Sequence, residues 1–268
     1  MGFQIPEPPI LLAGGIGGPF VMFTVTPMRN GLTLAAGLPK SGAFEIYGQV
    51  FSKGFLRGWT GGVAPAIAAC PQFLCLGPAY HLFASFGGVT GGVCMTSLLE
   101  TAIAYGPETN NAQQAKNVKS PGSFPNPHSP YKPFGPGVGI HIFRNVLATA
   151  GLRMFCTPAT AAIEKVTGAK NEATTLAGSF AGNVLAACLT APVHQCYNFT
   201  VSTPELQTMS SAEQLEKMKG FLTESYFEAG KLKPTVGRDM FMRSMYVAVA
   251  YTMFSTIERA CVAFWPKK

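Results

Sequence analysis

Ala13-Gly14-Gly15-Ile16-Gly17 returns in kind as Gly88-Val89-Thr90-Gly91-Gly92 and again as Gly178-Ser179-Phe180-Ala181-Gly182. In each stretch the first and fifth positions carry little or no side chain within apolar sequence, the spacing that lets two membrane helices approach closely. Ten residues beyond each fifth position stand Pro27, Ala102 and Pro192. A unit of about 75 to 90 residues, each with a close-packing helix interrupted near its end, predicts three pseudo-equivalent repeats around one core. Their approximate limits are residues 1–84, 85–172 and 173–268, and together they make a single domain.

Composition places that domain in a membrane. Hydrophobic residues make up 47% of the chain and charged residues 12%, where soluble domains carry about a quarter charged residues. Hydropathy divides into six candidate spans, near residues 9–26, 62–86, 87–105, 138–163, 174–192 and 241–264, each suited to a hydrocarbon core that takes about 20 residues of helix. An even number of crossings puts both termini on one side. The expected fold is an all-α membrane protein of six transmembrane helices in three pseudo-symmetric hairpins.

Long polar connections follow spans 1, 3 and 5. In the first, Met28 to Thr60, the stretch Phe44 to Phe51 suits a short interfacial helix. In the third, residues 211–228 suit an amphipathic helix, with Leu215, Met218, Phe221, Leu222 and Phe227 inward and Glu213, Glu216 and Lys217 outward. The second, Asn110 to Pro136, is rich in Pro, Ser and Asn and reads as an irregular loop.

The formal net charge of +7 is dispersed over the loops and the terminal Lys267 and Lys268, with no basic run interleaved with aromatics. That pattern argues against nucleic acid and for anionic membrane lipids as partners. Seven cysteines without a CxxC pair argue against a disulfide framework or a metal site. The start, Met1-Gly2-Phe3-Gln4, lacks a basic leader, and Pro6 stands where a myristoylation context has Ser or Thr, so no cleavable address or lipid anchor is expected. One aspartate, four scattered histidines and no phosphate loop give no catalytic constellation, and an enzyme is not expected. Asn198-Phe199-Thr200 matches a glycosylation acceptor only formally, since it directly follows span 5.

Gly54 and Gly61 in the first repeat, and Gly230 and Gly237 in the third, share a G-x6-G spacing. Pro71 precedes Tyr80 by nine residues, and Arg144 with Glu164 and Arg238 with Glu258 repeat one interval of twenty. In this joint order the chain resembles the mitochondrial carriers over nearly its whole length. The resemblance implies the carrier fold, residence in the mitochondrial inner membrane, a central cavity reached alternately from two sides, no cofactor, and bound cardiolipin. Trp59, Thr60 and Gly61 stand where that family binds cardiolipin at helix N-termini, and Gly230 and Gly237 mark the equivalent place in the third repeat.

The departures bear on function. In the family, acidic and basic residues after the odd-helix prolines form interhelical ion pairs that close one end of the cavity. Here those gate positions hold Arg29 and Leu32, Ala104 and Pro107, and His194 and Tyr197, an expected ring without ionic closure. At the even-helix ends, Tyr80 is followed by His81 and Ala84, and Phe254 by Ser255 and Glu258, so the opposite network is degenerate too. Alternating access needs two closed states, each held by contacts broken in the other.

Two functions follow as expectations. One is an accessory subunit of a respiratory-chain complex that keeps the carrier fold without transport, with other subunits of that complex as partners. The other is a divergent carrier of a small anionic metabolite, with Arg153, Arg243 and Glu100 facing the cavity, since ionisable residues within membranes tend to face the bundle interior. Arg243 has a competing place at an interface beside Arg238 and Asp239. His194 reads either as a proton switch or as a hydrogen-bonded core histidine.

Overall fold

A computed structural model describes residues 7–265. The features noted at Gly2, Pro6, Lys267 and Lys268 lie outside the described residues. The chain is mostly helical. Its elements are α1 (Pro8–Leu12), a π-helical turn (Ala13–Gly17), α2 (Gly18–Thr24), α3 (Thr26–Ala36), α4 (Ala43–Phe51), α5 (Val63–Lys119), α6 (Val138–Thr167), α7 (Glu172–Ser202), α8 (Ser211–Tyr226) and α9 (Pro234–Phe264). A two-strand hairpin, β1 (Phe227–Glu228) with β2 (Lys231–Leu232), links α8 to α9.

Four of these helices are long and apolar enough to cross a membrane, and the bent pair Pro8–Thr24 and Thr26–Ala36 adds a fifth when taken as one span. Their apolar windows are mostly not buried inside the protein. Ile16, Ile67, Phe86, Val89 and Met154 all lie on the outside, while Asn111, Ser97, Thr101, His141, Arg144 and Gln195 are buried. Soluble proteins rarely expose apolar surface so continuously. An apolar exterior around a polar interior is the arrangement of a multi-pass membrane protein.

The 57 residues of α5 would reach about 85 Å if straight, far more than a hydrocarbon core of about 30 Å. They do not run straight. Gly88 takes φ 62°, ψ −167°, a backbone region essentially reserved for glycine, and the chain folds back there. Gln72 then meets Glu100 at 3.2 Å, and a Cβ on Gly92 would stand 2.9 Å from the Tyr80 ring. The second small-residue pair therefore splits its duties: Gly88 is the turn and Gly92 the close contact.

The other two pairs pack helices directly. A Cβ on Gly182 would lie 2.7 Å from the Cys156 backbone, and one on Gly178 would collide with Thr160, so α7 presses backbone to backbone on α6. Gly17 faces Ile257 of α9, where a Cβ would sit at 2.8 Å, and Gly18 packs on the Phe73 ring of α5. With α5 packed on α6 and α7 on α9, the rods follow chain order around a ring that α9 closes against α1 and α2.

Helices overrun the apolar windows, which corrects two sequence expectations. The first rod bends by 50° at Val25, because Pro27 lacks an N–H and its ring crowds the carbonyl four residues before it. Helix then resumes to Ala36, where a loop from Met28 was expected. Likewise α5 continues through Asn110 to Lys119, and only residues 120–136 form the irregular loop. The amides there have tertiary partners: Asn111 Nδ2 donates to Asn30 Oδ1 and to the Thr60 carbonyl at 3.0 Å, and Asn110 Nδ2 to the His128 carbonyl at 2.7 Å. Paired in this way, they no longer compete for their own backbone.

Both surface helices form where expected. In α8, Ser210 and Glu213 make a capping box, and Phe221 is buried against Phe199, their rings stacked at 4.4 Å. Leu215 and Phe227 are exposed, contrary to their inward assignment. Gln214 is buried instead, donating to the carbonyls of Leu206 and Met209 at 3.0 and 3.1 Å.

Candidate functional site

The axis of the ring holds two adjoining cavities. The larger, about 390 Å³, is lined by Arg153, Arg243 and Glu100, with Gln72, Tyr80, Thr96, Thr149, Asn183 and Thr190. All three residues expected to face a cavity therefore share one. Arg153 of α6 is exposed and lies 3.7 Å above the Tyr80 ring, a cation–π contact that holds the guanidinium at the cavity wall. Arg243 sits 5.3 Å from the Tyr246 ring, away from Arg238 and Asp239, which excludes its placement at an interface beside them. Those two are otherwise engaged. Arg238 pairs with Asp239 at 2.7 Å and donates to the carbonyls of Ala35, Leu38 and Ser41, closing the C-terminal end of α3.

The smaller cavity, about 120 Å³, shares Gln72, Glu100 and Arg243 with the larger. Its walls bring together three of the gate positions, Arg29, His194 and Tyr197, with Glu108 and Arg144. Arg144 Nη1 meets Glu108 Oε2 at 2.8 Å and donates to His194 Nδ1 at 3.3 Å, while Nη2 donates to His141 Nε2 at 2.9 Å and to Asn145 Oδ1 at 2.8 Å. Tyr197 shares a 2.9 Å hydrogen bond with Thr109 and stacks 5.1 Å from the Arg144 guanidinium. Arg29 Nη2 donates to the Tyr246 hydroxyl at 3.0 Å. These contacts tie α3 to α9, and α5, α6 and α7 to one another.

The gate positions form no ion pair with one another among the described residues, but an ion pair lies beside them. Its acid, Glu108, stands one residue after Pro107 and outside the positions aligned to the family pattern. Its base, Arg144, comes from the start of α6, 36 residues on. The other gate positions play no part: Leu32 is buried in the apolar core with Val25, Leu34 and Met242, and Ala104 and Pro107 are buried within α5. Neither Arg144 with Glu164 nor Arg238 with Glu258 forms a pair among the described residues. At the opposite end the interhelical ion pair among the described residues is Arg259 with Glu172, at 3.0 Å and well exposed.

The lipid-site residues divide. Gly54, Gly61 and Gly230 all take positive φ, and a Cβ on Gly61 would press on Asn111 at under 3 Å, so backbone geometry accounts for each of them. Gly237 lies within α9 with open space around it. Trp59 packs at a tilt against Phe51 and Phe55, and the Thr60 carbonyl accepts from both Asn30 and Asn111. This segment is built into the Asn30–Asn111 contact.

Three features escaped the sequence. Glu108 has a faint signal, a lone acid beside a proline at the end of an apolar run. Tyr246 and Asn145 have none, since their partners are defined only by packing. No protein-family model matches the chain, and no curated protein matches it either.

Proposed function

We propose that this chain is a carrier-fold membrane protein, with six crossings in three hairpins around a pseudo-threefold axis, whose central cavity takes a small anionic solute. The observation that carries the reading is the position of Arg153, Arg243 and Glu100 on one 390 Å³ cavity whose inner end is closed by the Glu108–Arg144 pair. Counting Arg29, Arg144, Arg153 and Arg243 against Glu100 and Glu108 leaves the axis with excess positive charge, which favours an anion in low dielectric. A closure of one ion pair with neutral hydrogen bonds is small enough to break when a bound solute offers comparable contacts. The mitochondrial inner membrane and bound cardiolipin belong to this proposal through the carrier resemblance.

The test is uptake by the purified chain in liposomes, with labelled mono- and dicarboxylates and phosphate as probes. Saturable uptake, reduced about tenfold or more by Arg153→Ala, is the expected result, tenfold corresponding to about 1.4 kcal/mol of lost solute binding. Uptake indistinguishable from empty liposomes would sink it.

A second reading has one observation in its favour. Among the described residues, only the exposed Arg259–Glu172 pair joins rods by charge at the far end, so the state closed on that side has little to hold it. On this reading the chain is a transport-inactive accessory subunit of a respiratory-chain complex. Comigration with a large complex in mild detergent, together with failed uptake, is its expected signature.

A further inference from the structure

The smaller cavity collects hydrogen-bond donors that nothing satisfies. Among the described residues, those that line it carry four buried side-chain atoms without a partner, Arg29 Nη1, Arg243 Nε, His194 Nε2 and Asn198 Nδ2. Arg29, His194 and Asn198 are each more than nine-tenths buried. The role of His194 follows from its neighbour. A guanidinium can only donate, so Arg144 at 3.3 Å makes His194 Nδ1 the acceptor, and the ring's proton sits on Nε2. All four unpartnered atoms are therefore donors, drawn from three helices, α3, α7 and α9.

Buried donors left unpaired cost about 1–3 kcal/mol each, and more when charged, so four on residues that line one cavity call for an acceptor. The charge balance says which kind. Arg29, Arg144 and Arg243 line this cavity against Glu100 and Glu108, leaving one positive charge without a counterion in a low-dielectric interior. The Glu108 carboxylate is already taken by Arg144 and that of Glu100 by Gln72. Water would satisfy the donors but not the charge. A cavity of about 120 Å³ holds one small anion with a few waters, and is too small for the metabolite-sized solute of the larger cavity.

We propose that this cavity is a binding site for a small monovalent inorganic anion of the size of chloride, held by Arg29, His194, Asn198 and Arg243. The site does not rest on transport by the larger cavity, and stands whether or not a solute is carried. Because Arg243 borders both cavities, an anion here shares that arginine with any solute above it.

The test uses the full chain in detergent, titrated with sodium bromide in a sodium gluconate background at constant ionic strength. Gluconate is too large for the smaller cavity, and any hold it takes in the larger one is common to wild type and the Asn198→Asp variant. Wild type should show a saturable rise in melting midpoint of about 2–4 °C. Asn198→Asp places a fixed carboxylate on the wall, so this variant should start with a raised midpoint and no longer respond to bromide. Broadening of the chloride-35 resonance by wild type, relieved by bromide and lost in Arg29→Gln, reads the same site without depending on the stability of the aspartate variant. A wild-type midpoint that does not move, a bromide response equal in wild type and Asn198→Asp, or broadening unchanged in Arg29→Gln would each overturn the site.

Discussion

Arg144 Nη1 and Glu108 Oε2 stand 2.8 Å apart across the interface of α5 and α6, both largely buried. The same guanidinium reaches His194 on α7 and His141 and Asn145 on its own helix, so one side chain ties α5, α6 and α7 together. Removing one member of a buried pair leaves an uncompensated charge, at a cost of about 3–5 kcal/mol. Glu108→Gln should lower the melting midpoint accordingly, and the double variant Glu108→Leu with Arg144→Met should recover much of the loss. Equal losses in single and double variants would mean the pair is not the source.

The α6–α7 contact should tolerate no side chain at Gly182. A Cβ there meets the Cys156 backbone at 2.7 Å, and backbone cannot yield as a flexible side chain does, so Gly182→Val should cost about 1–3 kcal/mol or more. Gly237→Ala, in open space within α9, should be neutral or stabilising by up to about 1 kcal/mol. Denaturation of the two variants side by side checks both, and equal stability would contradict the close packing.

The turn between β1 and β2 carries its own strain. Ala229 takes φ 48° beside Gly230 at φ 76°, the pair of positive dihedrals a two-residue hairpin requires. Alanine in the left-handed region costs about 1–2 kcal/mol. Ala229→Gly or Ala229→Asn should therefore raise stability by about 1 kcal/mol, and a fall on substitution would show that the turn adopts another conformation.

Acid should loosen α8 from its N-terminus. Hydrogen bonds from the Ser210 hydroxyl and backbone hold the Glu213 carboxyl below its ordinary value. A carboxyl with a depressed folded-state value contributes its stability above the unfolded value, and loses it as pH falls through the folded one. Amide exchange in the first turn of α8 should accelerate as pH drops below about 4.5, after correction for intrinsic rates, and Ser210→Ala, which keeps only the backbone donor, should weaken that dependence. A pH response unchanged in Ser210→Ala would assign it elsewhere.

The fold was legible where backbone rules act locally. Gly178 and Gly182 announced a close helix pair by spacing alone, and the G-x6-G spacing marked Gly54, Gly61 and Gly230, which take positive φ, together with Gly237, which does not. The charge and apolar pattern likewise gave Arg153, Arg243 and Glu100 as residues facing inward. What sequence could not give depends on partners distant in the chain. Arg29 and Tyr246 are 217 residues apart, and nothing near either one names the other. Asn110 and Asn111 read as loop residues because their helix-competing amides are satisfied only by His128, Asn30 and Thr60. Glu108 carries only a faint signal, because the family pattern set from Ala102 ends at Pro107 and the acid that pairs with Arg144 follows it on α5.

The most direct test of the architecture is sidedness by thiol labelling. In a background with the seven native cysteines replaced, single cysteines at the exposed positions Lys53, Pro121 and Lys231, and at Gly87 and Lys170, are exposed in turn to a membrane-impermeant maleimide in sealed, uniformly oriented vesicles. Six crossings in three hairpins require the first three to label from one side and the last two from the other. Labelling of Gly87→Cys from the same side as Lys53→Cys would mean that α5 does not turn back across the bilayer at Gly88, and the ring of hairpins would be wrong.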